Sequence, residues 1–427
     1  MKSSILFVMN TMGQAGAETA LVSMLQKIDP REYDIDLYVM LGQGELFDRV
    51  PRYVNVINRM HSNHSVLSAK GHFGLACRTL HRAFRNGAFF TWLPYGIKNY
   101  RAMKKAGRVL PDKLLWKLLA DGARRLPQEY DLAVSFIEGA STYYVANHVQ
   151  AKHKIAYVHV DYGMAGYTTD LDEGAYDAID EIYAVSDEVR QGFLKVHPEC
   201  LPKMRVFHNI LDRKSILKMA MKGAGFEDDY EGYRILTVGR LNVQKAYEIA
   251  IQALALVRSH GYDARWYAMG EGVMREDLER KIAQNGLQDD FILMGKRSNP
   301  YPYYWECDLY VHATRFEGKS IAVQEAQILG CPIIVSDVNG NREQVNHGID
   351  GMICALNPAA VAEAIEFMIE NPEARARMGE AACHKEVEHD QELEDLLKKL
   401  KGLEDDEEGS INHYPGVQRR REYKGRA

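Results

Sequence analysis

A chain of 427 residues is long enough for two or three domains with cores of their own, and its 46% hydrophobic and 26% charged residues are those of a globular protein. The formal net charge of −6 argues against a protein that coats nucleic acid. Six scattered cysteines, Cys77, Cys200, Cys307, Cys331, Cys354 and Cys383, form no CxxC pair, which suits reduced thiols in a cytosolic compartment and offers no metal-ligand spacing.

In chain order, apolar runs alternate with stretches of helical periodicity, the pattern of an open parallel α/β sheet. The first half carries strand candidates at residues 5–10, 35–41, 54–57, 132–136, 154–159, 182–185 and 205–208. The first apolar run leads straight into a glycine-containing loop, so a signal peptide is not expected, and no apolar run approaches the ~18 residues that span a bilayer. A polar, weakly patterned stretch at 213–232 reads as a linker. The series then restarts at 235–238, 265–269, 291–294, 309–312, 333–336 and 352–354. The expected organisation is a Rossmann-like domain over 1–212 and a second over 233–388, facing each other across a cleft, with ligands beyond the carboxyl ends of the strands. Residues 389–401 read as a charged amphipathic helix, and 402–427 as a disordered tail too poor in apolar groups to order itself.

Within the first domain, Met12-Gly13-Gln14-Ala15-Gly16-Ala17-Glu18 closes the first strand and opens a helix whose amides let an anion approach. The pattern is not GxGxxG, and no acid ends the second strand to hold a ribose, which weighs against a dinucleotide oxidoreductase. Residues 65–126 form an insert. From 70 to 125 it holds thirteen Lys/Arg against Asp112 and Asp121, interleaved with Phe73, Phe84, Phe89, Phe90, Trp92 and Trp116. Basic side chains beside aromatics suit an anionic membrane surface. The alternative is a solvated helical insert whose aromatics pack inward. Glu138 ends a later strand and is a candidate for acceptor contact, directly or through a neighbour. His159 stands where the next strand emerges toward the cleft, with Asp161 beside it.

The second domain carries the denser chemistry. Its first strand ends in Gly239-Arg240, and Lys245 follows five positions on at a helix start. A guanidinium that binds in two-pronged fashion and a mobile ammonium together neutralise a diphosphate. Gly270-Glu271-Gly272 is a turn that a ligand can approach closely. In Gly295-Lys296-Arg297-Ser298-Asn299-Pro300-Tyr301-Pro302-Tyr303, two prolines make a stiff wall, and the tyrosines belong either to that wall or to the core. Then comes Arg315-Phe316-Glu317-Gly318-Lys319-Ser320-Ile321-Ala322-Val323-Gln324-Glu325-Ala326. One carboxylate precedes a helix and a second lies eight positions later inside it, with the anion-binding amides of the first turn between them. Two acids make poor phosphate ligands but good acceptors for the hydroxyls of a molecule that also carries phosphate. A nucleotide sugar is such a molecule.

At these residues, over about 238–382, the chain resembles the retaining glycosyltransferases of family four, of the bacterial polysaccharide and glycolipid type, whose Glu-x7-Glu element lies in the C-terminal domain of a GT-B fold. The resemblance implies that Glu317 contacts the donor sugar and Glu325 the ribose hydroxyls, while amides near Gly318, Lys319 and Ser320 meet the diphosphate. It assigns Arg240 and Lys245 to the departing diphosphate, with Ala246 where the family has Gly. It also makes Gly239, Gly270, Gly272 and Lys296 nucleotide contacts, and likens the Gly16 loop to the family's Gly-Gly-x-Glu loop. His159 takes a donor-sugar or transition-state role. The expected protein is a retaining hexosyltransferase that moves a sugar from a nucleoside diphosphate to a glycan or glycolipid acceptor in cell-surface polysaccharide synthesis. No metal, no cofactor beyond the donor and no nucleic-acid partner are expected. The expected place is the cytoplasm, peripheral on the inner face of the membrane. A nucleotide-sugar epimerase or a non-catalytic sugar-binding protein of the same fold are the alternatives.

Overall fold

The computed structural model describes residues 2–13, 15–58, 61–63 and 69–400, so the tail expected over 402–427 lies outside the described residues. A seven-stranded sheet contains β1 (Ser3–Met9), β2 (Tyr33–Val39), β3 (Asn55–Val56), β4 (Glu129–Ser135), β5 (Gln150–Val158), β6 (Glu181–Ala184) and β7 (Met204–Val206), in the order β3-β2-β1-β4-β5-β6-β7. A six-stranded sheet follows, with β8 (Tyr233–Val238), β9 (Ala264–Met269), β10 (Phe291–Gly295), β11 (Leu309–His312), β12 (Ile333–Ser336) and β13 (Met352–Cys354) in the order β10-β9-β8-β11-β12-β13. Both sheets are parallel throughout. The central strands contain near-continuous buried apolar runs, such as Ile5 to Met9 and Ile333 to Val335, as expected where helices cover both faces of a sheet. Each expected strand overlaps an observed one.

Strand order reverses beside the first strand of each sheet, between β1 and β4 and again between β8 and β11. Loops leaving those neighbours diverge to opposite faces and open a crevice at the carboxyl ends. The loops after β1, β4, β8 and β11 carry Gly16, Glu138, Arg240 and Glu317.

The expected linker differs from the structure, because 213–232 includes a helix, Arg213–Ala220, started by the Asp212 side chain accepting from the Ser215 amide at 3.0 Å. Its Ile216 and Ala220 join a core cluster with Tyr301, Tyr303 and Tyr304. So short an apolar face is set by packing rather than by periodicity. The charged helix, Asp390–Leu400, returns to the first domain. There the Tyr33 hydroxyl donates to the Leu397 carbonyl at 3.3 Å, Lys399 pairs with Glu181 at 2.5 Å, and Glu392 accepts from the amide and the ring of His208 at 2.6 Å each.

The insert forms three helices, Ala69–Ala83, Ala88–Lys105 and Pro111–Asp121. Among the described cations of the insert, Arg78 and Arg82 turn inward onto backbone. Arg78 donates to the Leu41 and Gly42 carbonyls and Arg82 to those of Met40 and Leu119, satisfying backbone at the end of β2. The middle helix buries Ala88, Tyr95, Gly96, Asn99 and Met103 on one side. Its other side exposes Phe90, Leu93, Ile97 and Tyr100 together with Arg101, Lys104 and Lys105. The aromatics therefore divide: Trp92 and Trp116 pack inward, while Phe84 and Phe90 are each 79% exposed. No described helix is long and apolar enough to cross a membrane.

Candidate active site

A cleft of about 420 Å³ runs between the two sheets, large enough for a drug-sized or nucleotide-sized ligand. From the first domain it is lined by Gly16, Glu18, Arg49, Glu138 and His159, and from the second by Gly239, Arg240, Lys245, Gly270, Lys296, Glu317, Lys319, Ser320 and Glu325. The structure thus brings together twelve of the fifteen residues singled out from the sequence, and adds Glu18 and Arg49. Gly272, Gly318 and Asp161 lie behind the wall. A side chain on Gly272 would come within 2.2 Å of the Leu241 carbonyl, and one on Gly318 within 3.2 Å of the His159 carbonyl. Asp161 is spent on its own loop, its Oδ1 accepting from the Met164 amide at 3.0 Å.

The loops that carry Lys245 and Glu317 are stitched to one another. The Arg315 amide and the Thr314 hydroxyl donate to the Gln244 carbonyl at 2.8 and 3.1 Å, and the Gln244 side chain donates to the Phe316 carbonyl at 2.9 Å. That stitching sets the Lys245 ammonium on the Glu317 carboxylate. Ala246, in the place of the family's Gly, is held at φ 46°, a left-handed conformation that costs a non-glycine residue about 1 kcal/mol. Gly270 approaches Gly239 so closely that any Cβ would meet the Gly239 carbonyl at 1.9 Å, so the two glycines form one tight floor under the cleft.

Glu317 is held at a pKa of about 2: burial opposes its charge, but the Lys245 ammonium and the His312 ring, whose Nε2 lies 3.0 Å from Oε2, outweigh that. Glu325 behaves oppositely. Burial raises it to about 7, only partly offset by the Tyr301 and Tyr304 hydroxyls that donate to its two oxygens at 3.0 and 3.3 Å. The tyrosines left open between wall and core do both, because Tyr301 lines the cleft and Tyr303 and Tyr304 are buried.

The helix that follows Glu317 spans Ile321–Ile328. The Ser320 amide was expected to meet an anion; it instead donates to Gln344 Oε1 at 2.7 Å, and Gln344 Nε2 donates back to the Ser320 carbonyl at 2.9 Å. A side chain 24 positions downstream has taken a donor that helix-end reasoning leaves open. Lys319 lines the cleft and also approaches His389 Nε2 at 3.3 Å, and burial lowers its pKa to about 8.

On the opposite wall, burial lowers His159 to about 4, so the imidazole is neutral near pH 7. The Phe136 backbone favours protonation of the ring but is outweighed by burial, while Nε2 is buried without a partner among the described residues. With its proton on Nδ1, the neutral ring presents an Nε2 lone pair, an acceptor suited to a hydroxyl. The His159 amide donates to Glu138 Oε2 at 3.0 Å, which turns Glu138 toward the same wall; burial raises its pKa. Glu18 accepts from the Thr11 hydroxyl at 3.1 Å and is raised by burial to about 7, with Arg240 and Lys296 pulling it down. Across the cleft, Lys296 pairs with Glu45 and Arg49 donates to the Ser298 carbonyl, tying the proline-rich loop to the first domain.

Residues 226–385 match the family model described as glycosyl transferases group 1. The match falls on the C-terminal domain. Among curated proteins, 175 residues are 27% identical to N-acetylgalactosamine-N,N'-diacetylbacillosaminyl-diphospho-undecaprenol 4-alpha-N-acetylgalactosaminyltransferase of Campylobacter jejuni, covering 40% of this chain and 46% of that one. Alpha-D-kanosaminyltransferase of Streptomyces kanamyceticus is 31% identical over 152 residues, 35% of this chain and 39% of that one. The matched segments thus span less than half the length of these relatives. Among solved structures, Anabaena HepE in complex with UDP superposes with a TM-score of 0.63 at 16% identity, covering 94% of this chain and 100% of that one. Sucrose-phosphate synthase from Thermosynechococcus elongatus gives 0.64 at 12% identity, covering 94% and 99%. The two facing sheets are the GT-B fold.

Proposed function

We propose that the protein is a retaining glycosyltransferase that moves a sugar from a nucleoside diphosphate to a glycan or lipid-linked acceptor, without a metal. The observation that carries this reading is the paired Lys245 ammonium and Glu317 carboxylate on the wall of a cleft that Arg240 also lines, within the domain that matches glycosyl transferases group 1. Donor diphosphate draws Lys245 to itself, and Arg240 and Lys245 stabilise the charge that grows on it as the sugar leaves. Glu317 then faces the sugar, Glu325 accepts from the ribose hydroxyls, and His159 Nε2 accepts from a sugar hydroxyl. The departing diphosphate takes the acceptor proton on the face it vacates, which retains the configuration of the sugar. Among the described residues the His/Cys/Asp/Glu groups close enough to share a metal are His197 with Glu199 and Cys200, and His208 with His389 and Glu392, and none of these six lines the cleft. The relatives' names support the acceptor class, one acting on a diphospho-undecaprenol and another in amylovoran biosynthesis.

The test is incubation with UDP- and GDP-sugars, with and without acceptor glycans or polyprenyl-linked sugars, followed by mass spectrometry. Sugar transfer supports the reading. Conversion of the donor to an epimer without acceptor, or tight binding without turnover, would replace it with the corresponding alternative.

The outer side of the helix Ala88–Lys105 supports a place on the inner face of the cell membrane. It carries Phe90, Leu93, Ile97 and Tyr100 beside Arg101, Lys104 and Lys105 and has no acidic residue. The insert adjoins the acceptor side of the cleft, where Trp116 packs on Gly139, next to Glu138. Lys98 is not part of this surface charge, because it pairs with Asp170 at 2.7 Å. The protein should sediment with anionic but not zwitterionic vesicles, and Arg101→Glu/Lys104→Glu/Lys105→Glu should lower that binding at least tenfold, at ~1 kcal/mol per cation. Indifference of the wild type to anionic vesicles at low salt would leave a soluble acceptor.

A further inference from the structure

Beneath the cleft, three buried side chains, His312, Tyr310 and Tyr304, stand between the two acids of the Glu-x7-Glu element. Glu317 Oε2 lies 3.0 Å from His312 Nε2, and His312 Nδ1 lies 3.1 Å from the Tyr310 hydroxyl. The Tyr310 ring packs against that of Tyr304, with centroids 5.1 Å apart. Tyr304 in turn donates to Glu325 Oε2 at 3.3 Å. Tyr304, Tyr310 and His312 are all but inaccessible to solvent and none lines the cleft, so packing alone does not explain why polar groups stand there in line.

We infer that His312 and Tyr310 are positioning residues, which hold Glu317 on the donor sugar after Lys245 has turned to the diphosphate. This rests on the glycosyltransferase reading above. Before donor binds, Glu317 has Lys245 and His312 as donors. Once Lys245 leaves, His312 is what keeps a buried carboxylate from standing unpaired. It does so only in the tautomer with the proton on Nε2, and the partner of the other ring nitrogen decides the tautomer. The Lys245 ammonium and the Ser320 hydroxyl lie 3.2 and 3.3 Å from Nε2 and would donate to it if it were bare, favouring the wrong tautomer. The Tyr310 hydroxyl, donating to Nδ1, selects the right one. Because the Tyr310 ring packs on Tyr304, whose hydroxyl donates to Glu325, the supports of the group that meets the ribose and of the group that meets the sugar are packed together.

The experiment compares His312→Gln, His312→Leu and Tyr310→Phe with the wild type in donor turnover and melting temperature, and assigns the His312 tautomer by nitrogen-15 NMR with UDP bound. Gln keeps an N–H donor near the Nε2 position and Leu does not. His312→Leu should lower kcat about tenfold or more with donor KM changed less than threefold, His312→Gln should recover most of kcat, and Tyr310→Phe should fall between them. The wild-type ring should be protonated at Nε2. Equal kcat losses in the Gln and Leu variants, or kcat within twofold of wild type in His312→Leu, would overturn the inference. So would a wild-type ring protonated at Nδ1, a readout that needs no turnover. Failure of every donor to react with the wild type would sink the glycosyltransferase reading instead.

Discussion

Replacing Lys245 by Met tests whether the ion pair in the cleft does what its surroundings imply. The Glu317 carboxyl is held at about 2 against an ordinary value of 4.5, and the two side chains are only 13% and 14% exposed, so solvent screens the pair weakly. A depression of that size corresponds to about 3 kcal/mol. Because the folded-state value lies below the unfolded one, that stabilisation is fully present above about pH 4.5 and is lost as pH falls toward 2. At pH 7, Lys245→Met leaves a buried anion with His312 alone and should cost on the order of 3 kcal/mol. Glu317→Gln should cost less, since the amide still bonds its neighbours, and the double variant should recover much of the loss. Urea unfolding of the four proteins then yields a coupling energy on the order of 2 kcal/mol. Single-variant losses that simply add, with coupling below about 0.5 kcal/mol, would put the pair on a par with an exposed surface bridge and refute the argument. In turnover, Lys245→Met or Arg240→Ala should lose about 10²-fold, and near-normal rates in both would remove their role at the diphosphate.

Glu325, raised to about 7, keeps its proton in the folded protein at a pH where the unfolded chain has released it, so its contribution to stability falls as pH rises from about 4.5 to 7. Glu325→Gln should remove that part of the slope, on the order of 3 kcal/mol between pH 4.5 and 8, and should raise donor KM; an unchanged slope would contradict the burial argument. Glu317→Gln should tighten binding of UDP itself, by calorimetry, because it frees Lys245 and removes an anion from the phosphate site, while kcat falls; weaker UDP binding would show that Lys245 does not move to the diphosphate. Activity should survive EDTA, and loss that Mg²⁺ or Mn²⁺ restores would place a metal in the cleft.

The strands were legible because both faces of each sheet are covered, which leaves uninterrupted apolar runs such as Ile333-Ile334-Val335 that need no partner to be recognised. The helix Arg213–Ala220 was not, since its ordering comes from tyrosines some eighty positions away. Local text also located the loops that carry chemistry, as glycines and charges at strand ends report what the nearby backbone must do. Partners from afar left no mark. Arg49 enters the cleft from the first domain with no motif around it, and nothing near Ser320 announces that Gln344 will take its amide.

Gly272, Gly318 and Asp161 show where motif reading stops. Each stands in a loop that reaches the cleft, yet each serves the loop: Gly272 where neighbouring backbone leaves no room for a Cβ, Gly318 where the Val189 side chain and the His159 carbonyl crowd one, and an aspartate that closes a turn. A motif marks the residues a loop cannot do without, and these include the ones that shape it as well as the ones that touch a ligand. The two kinds separate only when the partner of each polar atom is known. The same accounting explains why Glu317 and Glu325, identical in sequence and eight positions apart, end up at about 2 and about 7. One found an ammonium and an imidazole, the other phenols with Arg49 farther off, so one is an anion that needs a new donor when its lysine leaves, and the other sits near its titration point, where hydroxyls that donate to it favour the anion.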